Sequence, residues 1–269
     1  MELDKKLLHR IMNDDNMSSR HTVGKKYGLG KRLASYYWYI AQNYQSILGK
    51  SAKERRMLII GDLHAPFIRE GYLEFCKKIY SKHDCNEVMF TGDLIDNHFS
   101  SYHETDPDGH SAGLELEKAK SQIKDWYEAF PVANVCIGNH DALPARKAMT
   151  AGLSNHWIKP ISEVVKTPNW TYAEEFIVDG NKYCHGTGRK ARNRAKDDMI
   201  SVIQGHYHSE SYLEYLVGQN YKIFAMQIGC GVMQKAYAMA YGRNFKKMHI
   251  NCGVILENGT LPILEFMEL

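Results

Sequence analysis

Carboxylate, amide and imidazole side chains stand beside glycines in five short segments of the chain. In chain order the segments are Gly61-Asp62-Leu63-His64, Gly92-Asp93-Leu94-Ile95-Asp96-Asn97, Gly138-Asn139-His140-Asp141, Cys184-His185-Gly186 and Gly205-His206-Tyr207-His208. Each segment alone is a weak signal, because a single histidine at a strand end is more often an ordinary packed residue than a ligand. Oxygen and imidazole groups without thiolate ligands suit Mn²⁺, Fe, Zn²⁺ or Mg²⁺. The five segments together therefore indicate a metal centre.

The apolar pattern predicts strands and helices that would position these segments. Short apolar runs alternate with amphipathic segments in the first half, which is typical of β-α-β units. The predicted strands are 57–60, 87–90, 132–137, 171–178, 182–184, 199–204, 222–228 and 250–257, and the predicted helices are 71–80 and 114–129. Hairpin turns are predicted at 179–181 and 257–259. Strand ends in an α/β sheet share one crevice, so Asp62 and His208 can meet although they are far apart in sequence.

Spacing within the segments supports the same interpretation. The pairs Asp62/His64 and His206/His208 are two residues apart, so on an extended backbone both side chains of a pair lie on the same side. The neighbouring glycines remove side-chain bulk where backbone and metal must approach closely.

Taken in order, the motifs D-x-H, G-D-x-x-D, G-N-H-D, H and G-H-x-H resemble those of the calcineurin-like metallophosphoesterases. The resemblance covers about residues 57–210 and continues more loosely toward the C-terminus. It implies an α/β fold of four layers in the order αββα, with two facing sheets flanked by helices. It also implies a centre for two divalent metal ions, for which Mn²⁺ is our first expectation and Fe, Zn²⁺ and Mg²⁺ are alternatives.

The family pattern assigns seven ligands to the two ions. By resemblance, Asp62, His64 and His208 hold one ion. The other ion is held by Asn139, His185 and His206, and Asp93 is shared between the two. The presence of all seven weighs against an inactive relative. Independently of the family, a carboxylate can bridge two ions about 3.5–4 Å apart.

Two adjacent cations would lower the pKa of a bridging water and neutralise charge on a phosphoryl group. The predicted chemistry is attack by the resulting hydroxide. His140 is the candidate donor of a proton to the leaving group, with Asp96 orienting its imidazole. The alternative for Asp96 is a loop-capping carboxylate. Asp141 is expected to fix its loop or to cap the following helix.

Two departures from the family pattern bear on the substrate. Protein phosphatases of the family usually carry Arg and Glu at the positions of Asn97 and Asp141. These departures favour the phosphodiesterase and nuclease side of the family, and we predict hydrolysis of a phosphodiester in nucleic acid. A small-molecule phosphodiesterase or phosphatase, acting for example on cyclic nucleotides or monoesters, and a non-catalytic metal-binding scaffold remain alternatives.

Two stretches beside the motifs could shape substrate choice. Residues 98–110 follow the Asp93/Asp96 motif directly and could form a lid, although a plain solvated loop is also expected there. Residues 189–196 carry five positive charges just after His185, and Arg189 and Arg192 could bind phosphates of a polynucleotide. A solvated helix face is the alternative for this second stretch.

Composition excludes several other classes of protein. The chain has 269 residues, of which 44% are hydrophobic and 24% charged, which is globular rather than disordered. Its apolar runs are far shorter than the roughly 20 residues of a membrane helix, so no membrane association is expected. Six cysteines are scattered singly, and we expect reduced thiols in a cytoplasmic protein.

The N-terminal segment has a separate character. Residues 1–56 contain 12 Lys and Arg against 5 Asp and Glu, a net charge of +7. We predict an all-helical module at 1–50, a linker at 51–56 and a catalytic domain at 57–269. Gly28 between two predicted helices indicates a helix-turn-helix, which would present Lys31 and Arg32 to DNA. The last predicted helix of the module carries an apolar stripe of Leu33, Tyr37, Ile40, Tyr44 and Ile47. The alternative to DNA binding is docking on the main domain or on a second copy, with the aromatic stretch 36–44 as the packing or assembly surface.

Overall fold

The structure is a computed structural model, and it describes residues 7, 10–11, 20–38, 54–102, 106–234, 236 and 247–268. Contacts divide the chain into two compact units, Met1–Glu54 and Arg55–Leu269. The predicted linker at 51–56 spans this division, and its residues 51–53 lie outside the described part.

Eleven strands in the described part of the second unit form two mixed sheets. The strands are β1 (Met57–Ile60), β2 (Glu87–Phe90), β3 (Ala133–Cys136), β4 (Trp170–Ala173), β5 (Glu175–Val178), β6 (Asn181–Cys184), β7 (Ser201–Gln204), β8 (Tyr212–Val217), β9 (Lys222–Gln227), β10 (Asn251–Leu256) and β11 (Leu261–Phe266). The first sheet has the order β11-β10-β1-β2-β3-β4, with β1 to β4 parallel. The second has the order β5-β6-β7-β9-β8, with β6, β7 and β9 parallel.

Alternation of side chains along the buried strands separates two apolar cores. Met57 and Ile59 of β1 pack with residues of the second sheet, including Ile203, so one core lies between the sheets. Leu58 and Ile60 point to the opposite face and pack in the other core. Successive residues of a strand face opposite sides, and a strand covered on both faces therefore reads as a continuous apolar run.

Helices cover the outer faces of both sheets. The described helices of the second unit are α3 (Tyr72–Lys82), α4 (Ala112–Ala129), α5 (Leu143–Thr150), α6 (Ile161–Val164) and α7 (Ala191–Asp198). Trp126 of α4 packs in the core of the first sheet, while Ala191 and Ala195 of α7 pack on the second. The layers thus follow the order helix, sheet, sheet, helix, which confirms the predicted αββα sandwich.

Some predicted strands differ from those observed. The single strand predicted at 171–178 is two strands, β4 and β5, which belong to different sheets because the chain crosses between the sheets at Glu174. Met199 has a left-handed backbone (φ 52°) after α7, so β7 begins only at Ser201. Strands β8 and β11 were not predicted. The turn at Asp179 and Gly180 has positive φ at both residues and joins β5 to β6 as an antiparallel hairpin, as predicted.

The first unit contains the predicted helices around a glycine turn. Helix α1 (Arg20–Tyr27) is followed by Gly28, whose φ is +63°, and a second helix, α2, includes residues 31–38. A Cβ on Gly24 would lie 3.3 Å from Ala34 Cβ, so the glycine permits the two helices to approach. Tyr37 is buried in the core of this unit with Val23. Residues 40, 44 and 47 of the predicted apolar stripe lie outside the described part.

All six cysteines are buried free thiols, as expected. Among the residues that the structure describes, no helix combines the length and the apolarity needed to cross a lipid bilayer.

Candidate metal centre

The predicted ligands all follow carboxyl ends of parallel strands. Asp62 and His64 follow β1, Asp93 follows β2, and Asn139 follows β3 in the first sheet. His185 follows β6, and both His206 and His208 follow β7 in the second sheet. Because the two sheets face each other, the strand ends of one sheet meet those of the other.

Asp62, His64 and His208 form the first cluster, with ligand-type atoms within 4.8 Å of one another. The Asp62 Oδ2 atom lies 3.1 Å from His208 Nε2. The same oxygen accepts a hydrogen bond from the backbone N–H of His206 at 2.9 Å, which fixes the carboxylate against the last segment of the site. Asp62 and His64 are fully buried.

Asp93, His185 and His206 form the second cluster within the same distance limit. His185 Nε2 lies 3.1 Å from Asp93 Oδ2 and 3.1 Å from His206 Nδ1. The Asn139 Oδ1 atom is 2.9 Å from the same His185 nitrogen, so the amide oxygen also reaches this cluster. The structure therefore brings all seven sequence-predicted ligands into two adjoining groups.

Asp93 connects the two clusters. Its Oδ2 atom lies 3.1 Å from His185 Nε2 in the second cluster and 3.5 Å from His64 Nε2 in the first. Its Oδ1 atom accepts a hydrogen bond from the backbone N–H of His140 at 2.8 Å. One carboxylate oxygen thus faces the junction between the clusters while the other is held by the backbone.

His64 Nε2 is buried without a hydrogen-bond partner among the described residues. Its other ring nitrogen, Nδ1, lies 2.5 Å from Asp96 Oδ1. A carboxylate accepts, so Nδ1 carries the proton and the unpartnered Nε2 presents its lone pair toward Asp93. A buried polar atom without a partner is costly, and this arrangement of carboxylate, histidine and free nitrogen is how proteins orient a metal-binding imidazole. The residues present therefore fit a divalent cation.

Electrostatics favour cations at the same place. Burial lowers the pKa of His64, and burial together with His185 lowers the pKa of His206 to about 4, so both rings are neutral, as metal ligands must be. For His185 burial also lowers the pKa, but the carboxylates of Asp93 and Asp62 outweigh it and raise the pKa to about 10. The carboxylates thus attract positive charge strongly, which two metal ions would supply.

The backbone of the site is unusual at the ligands themselves. His64, Asp93 and His206 have φ of 48°, 49° and 73°, a left-handed conformation that costs of order 1–3 kcal/mol for a residue with a Cβ. A Cβ on Gly138 would lie 2.0 Å from Asp93 Oδ1, and one on Gly205 would lie 2.2 Å from Asp62 Oδ1. The glycines are therefore required by close approach of backbone to carboxylate, as the sequence predicted.

His140 lies beside the clusters, but its partner differs from the one expected. Its Nδ1 lies 2.5 Å from the backbone carbonyl oxygen of Asp96, whereas the Asp96 carboxylate is 3.6 Å away. That carboxylate is bonded to His64 instead. The nearer acceptor for His140 is therefore the Asp96 carbonyl, and not the Asp96 carboxylate as we expected. The carboxylate instead orients His64. Burial lowers the pKa of His140, but Asp93 and Asp96 more than offset it, and the net shift is upward.

Asp141 fixes the loops around the site. Its two carboxylate oxygens accept hydrogen bonds from the backbone N–H groups of Gly138 (2.9 Å) and Ile95 (3.3 Å), and so join the loops after β2 and β3. It does not cap α5, whose first turn has no side-chain cap. Burial and the Asp93 charge raise the pKa of Asp141 to about 7.

Two further groups support the site without a sequence signal. The Thr91 carbonyl lies 3.1 Å from His185 Nδ1 and directs the opposite nitrogen toward Asp93, but a backbone oxygen leaves no mark in sequence. Glu115 of α4 accepts a hydrogen bond from the backbone N–H of His98 at 2.7 Å and anchors the loop after Asp96. The sequence carries no signal for this role, because Glu115 is one of several charged residues on a helix of mixed polarity.

The predicted substrate contacts are not part of these clusters. Arg189 forms an ion pair with Asp197, and Arg192 forms one with Glu214, so both charges are balanced within the chain, as on a solvated helix face. Lys31 and Arg32 are exposed on α2 of the first unit. Contact of these four residues with substrate stays a prediction.

Two facing sheets whose strand ends carry adjoining carboxylate and imidazole clusters define an α/β protein with a candidate centre for divalent metal. A sequence model of the calcineurin-like phosphoesterases matches residues 55–224, and the chain belongs to this family. Members bind divalent metals, in agreement with the clusters described above. No curated protein sequence gives a significant match.

Several solved structures are similar to the chain. Vacuolar Protein Sorting 29 from Cryptosporidium parvum matches with 13% identity and a TM-score of 0.43, over 80% of this chain and 92% of its own. The nuclease MPE from Pseudomonas putida has 10% identity and a TM-score of 0.35, over 77% and 86%. The phosphoesterase YfcE from E. coli has 13% identity and a TM-score of 0.35, over 79% and 100%.

Proposed function

We propose that this chain hydrolyses phosphodiester bonds with two divalent metal ions, and that its substrate is nucleic acid. One observation carries the two-ion part: Asp93 Oδ2 lies within 3.5 Å of imidazole nitrogens from both clusters, so Asp93 would be shared by the two ions. When bound, the ions supply a nucleophile at neutral pH and charge neutralisation at the phosphoryl oxygens.

The chain's own residues supply orientation and a proton. Asp96 holds His64 through Nδ1, and the Thr91 carbonyl holds His185 through Nδ1, so both rings turn Nε2 toward Asp93. The Asp96 carbonyl fixes the proton of His140 on Nδ1, which leaves Nε2 to carry the proton that is transferred. The raised pKa of His140 favours the protonated ring, which can donate that proton to a leaving alkoxide.

The choice of a phosphodiester rests on residues beside His140. Asn97 donates a hydrogen bond from Nδ2 to the His140 carbonyl at 2.9 Å. Among the described residues, the hydrogen-bond donors to the Asp141 carboxylate are backbone N–H groups of the loops. Neither Asn97 nor Asp141 carries the positive charge that an arginine at position 97 would have. Such a charge would favour a dianionic phosphomonoester, so its absence favours the phosphodiester, which has a single negative charge. Nucleic acid is favoured over a small diester by the net charge of +7 on residues 1–56.

A substrate panel with Mn²⁺ tests the proposal. The panel contains a nitrophenyl diester, a nitrophenyl monoester, a cyclic nucleotide, single-stranded DNA and duplex DNA. Faster turnover of the nitrophenyl diester than of the monoester, together with cleavage of DNA, is the expected result. Preference for the monoester or the cyclic nucleotide would favour the small-molecule alternative. Metal binding without turnover of any ester would favour the non-catalytic scaffold.

A further inference from the structure

A segment without acidic residues leaves the metal centre and reaches the surface. Between Asp141 and Glu163 the chain contains Arg146, Lys147 and Lys159 but no Asp or Glu. Residues 149–157, which follow the buried part of α5, are all exposed. The charged residues of this stretch are therefore all basic, which favours contact with a polyanion.

Aromatic side chains are exposed in the same region. Trp157 is 82% exposed, and Phe99 and Tyr102, in the loop after Asp96, are 54% and 58% exposed. Single exposed apolar residues are common, but several large ones beside a cluster of cations mark a binding surface.

Contacts in the structure bring the two stretches together. The centroid of the Tyr102 ring lies 4.0 Å from Lys147 Nζ and 5.3 Å from the guanidinium carbon of Arg146. Helix α5 also contacts the 3₁₀ turns His98–Ser100 and Asn155–Trp157, which carry Phe99 and Trp157. We call the surface formed by Phe99, Tyr102, Arg146, Lys147 and Trp157 the aromatic-basic platform.

The platform lies at the edge of the metal centre. Leu143, the first residue of α5, donates its backbone N–H to the His140 carbonyl at 3.1 Å, and Asp141 ties this loop to the one after β2. Phe99 follows Asp96 by three residues, so their Cα atoms are at most roughly 11 Å apart. A polymer bound on the platform can therefore present a neighbouring phosphate to the clusters.

We propose that the aromatic-basic platform binds single-stranded nucleic acid and delivers it to the metal centre. The proposal rests on the proposed function, since the bound strand is taken to be the substrate. Aromatic rings stack on unpaired bases, whereas bases in a duplex are already stacked on one another. The cations Arg146 and Lys147 contact the phosphates, and the absence of carboxylates from the segment after Asp141 matches a polyanion. A partner protein with an acidic surface would not require the exposed rings.

Binding measurements on the full chain test the proposal. The probe is a fluorescein-labelled 20-nucleotide single strand with a phosphorothioate backbone that resists hydrolysis, titrated in Mn²⁺ and followed by anisotropy. Trp157→Ala should weaken binding about 5- to 100-fold, the usual effect of removing one stacking ring. Trp157→Phe keeps a ring and should retain most of the affinity. Replacing Arg146 and Lys147 by Ala should lower the log–log salt slope by about 0.7 for each phosphate that these side chains neutralise.

Tyr215 provides a matched control. Its ring is 40% exposed and lies 4.7 Å from Lys222 Nζ on the hairpin of β8 and β9, so it is a second exposed aromatic beside a cation. Tyr215→Ala should bind the strand as the wild type does. Equal losses for Tyr215→Ala and Trp157→Ala would overturn the proposal, and so would unchanged binding by Trp157→Ala.

Three other outcomes separate this proposal from its rivals. Tighter binding of a duplex than of the single strand by the wild type would overturn it. A change in molecular mass in solution on Trp157→Ala would identify the platform as a contact between copies of the chain and would likewise overturn it. If Trp157→Ala loses binding but the wild type hydrolyses no nitrophenyl diester, the platform stands and the proposed hydrolytic function fails.

Discussion

At the scale of single residues, Asp93 is the carboxylate that would be shared by the two ions of the proposed centre. Its Oδ2 atom is near imidazoles of both clusters. In the proposed two-ion centre, Asp93→Asn removes the negative charge that would hold both cations, so we expect nearly complete loss of the proposed diesterase activity and a lower metal content. His206→Ala should give the same result through the second cluster. Metal analysis of the purified variants is the measurement, and full activity with full metal content would refute the shared centre.

His140 should behave differently from the ligands. His140→Ala is expected to keep the bound metal and to lose roughly 10²- to 10⁴-fold in rate with an alkoxide leaving group, the range for a positioned acid. A nitrophenolate leaves without protonation, so its hydrolysis should fall much less. An equal loss for both leaving groups would show that His140 acts on the phosphoryl group rather than as a proton donor.

Asp96 offers a test of the support given to His64. Asp96→Asn keeps the size of the side chain but removes the charge 2.5 Å from His64 Nδ1. Loss of such a supporting carboxylate typically reduces metal affinity about 10- to 100-fold. We therefore expect a weaker metal affinity in a titration, with activity restored by excess Mn²⁺. Unchanged affinity would mean that Asp96 does not orient His64.

At the scale of elements, the loop after β2 depends on a buried carboxyl of α4. Burial raises the pKa of Glu115 from 4.5 to about 7, and its second oxygen has no hydrogen-bond partner among the described residues. A raised pKa means that the folded state binds the proton more tightly than the unfolded chain does. This contribution to stability is complete below about pH 4.5 and is lost as the pH rises through about 7.

Glu115→Gln should remove this dependence. Glutamine still accepts the bond from His98 N–H but stays neutral, so the variant should have a higher Tm than the wild type at pH 8 and a similar one at pH 5. Thermal unfolding at both pH values measures the effect. Glu128→Gln is the control, since Glu128 lies on the same helix with its side chain 63% exposed. A Tm difference that does not change with pH would contradict the assignment.

At the scale of the whole molecule, the basic first unit is predicted either to bind DNA or to mediate assembly, and substitution of its exposed cations distinguishes the two predictions. If Lys31 and Arg32 each contact a phosphate, replacing both by Ala should lower the log–log salt slope for duplex DNA by about 1.8, which is twice about 0.9. Replacing the exposed Lys77 and Lys78 of α3 is the matched control. An unchanged slope combined with altered molecular mass would favour assembly.

The sequence by itself determined the family and the residue types of the candidate site. Short apolar runs predicted the strands. After five of these strands the sequence places a ligand-type residue beside a glycine, and the order of these five segments predicted the metal centre. The glycines are informative because a Cβ would collide with a carboxylate that packs against the backbone. Gly138, which packs against Asp93, is an example. The β5–β6 turn was equally predictable, because Asp179 and Gly180 tolerate positive φ.

Only the tertiary structure decided which groups support which ligands. The chain crosses from one sheet to the other at Glu174. Alternation of apolar and polar residues looks the same in either sheet, so the sequence could not show that 171–178 is divided into two strands. His140 is hydrogen-bonded to the backbone carbonyl of Asp96, while the Asp96 carboxylate is hydrogen-bonded to His64 in another loop. Residue types fix what a side chain can bind, but packing of distant strand ends fixes which partner lies within about 3 Å, because hydrogen bonds act only at contact distance.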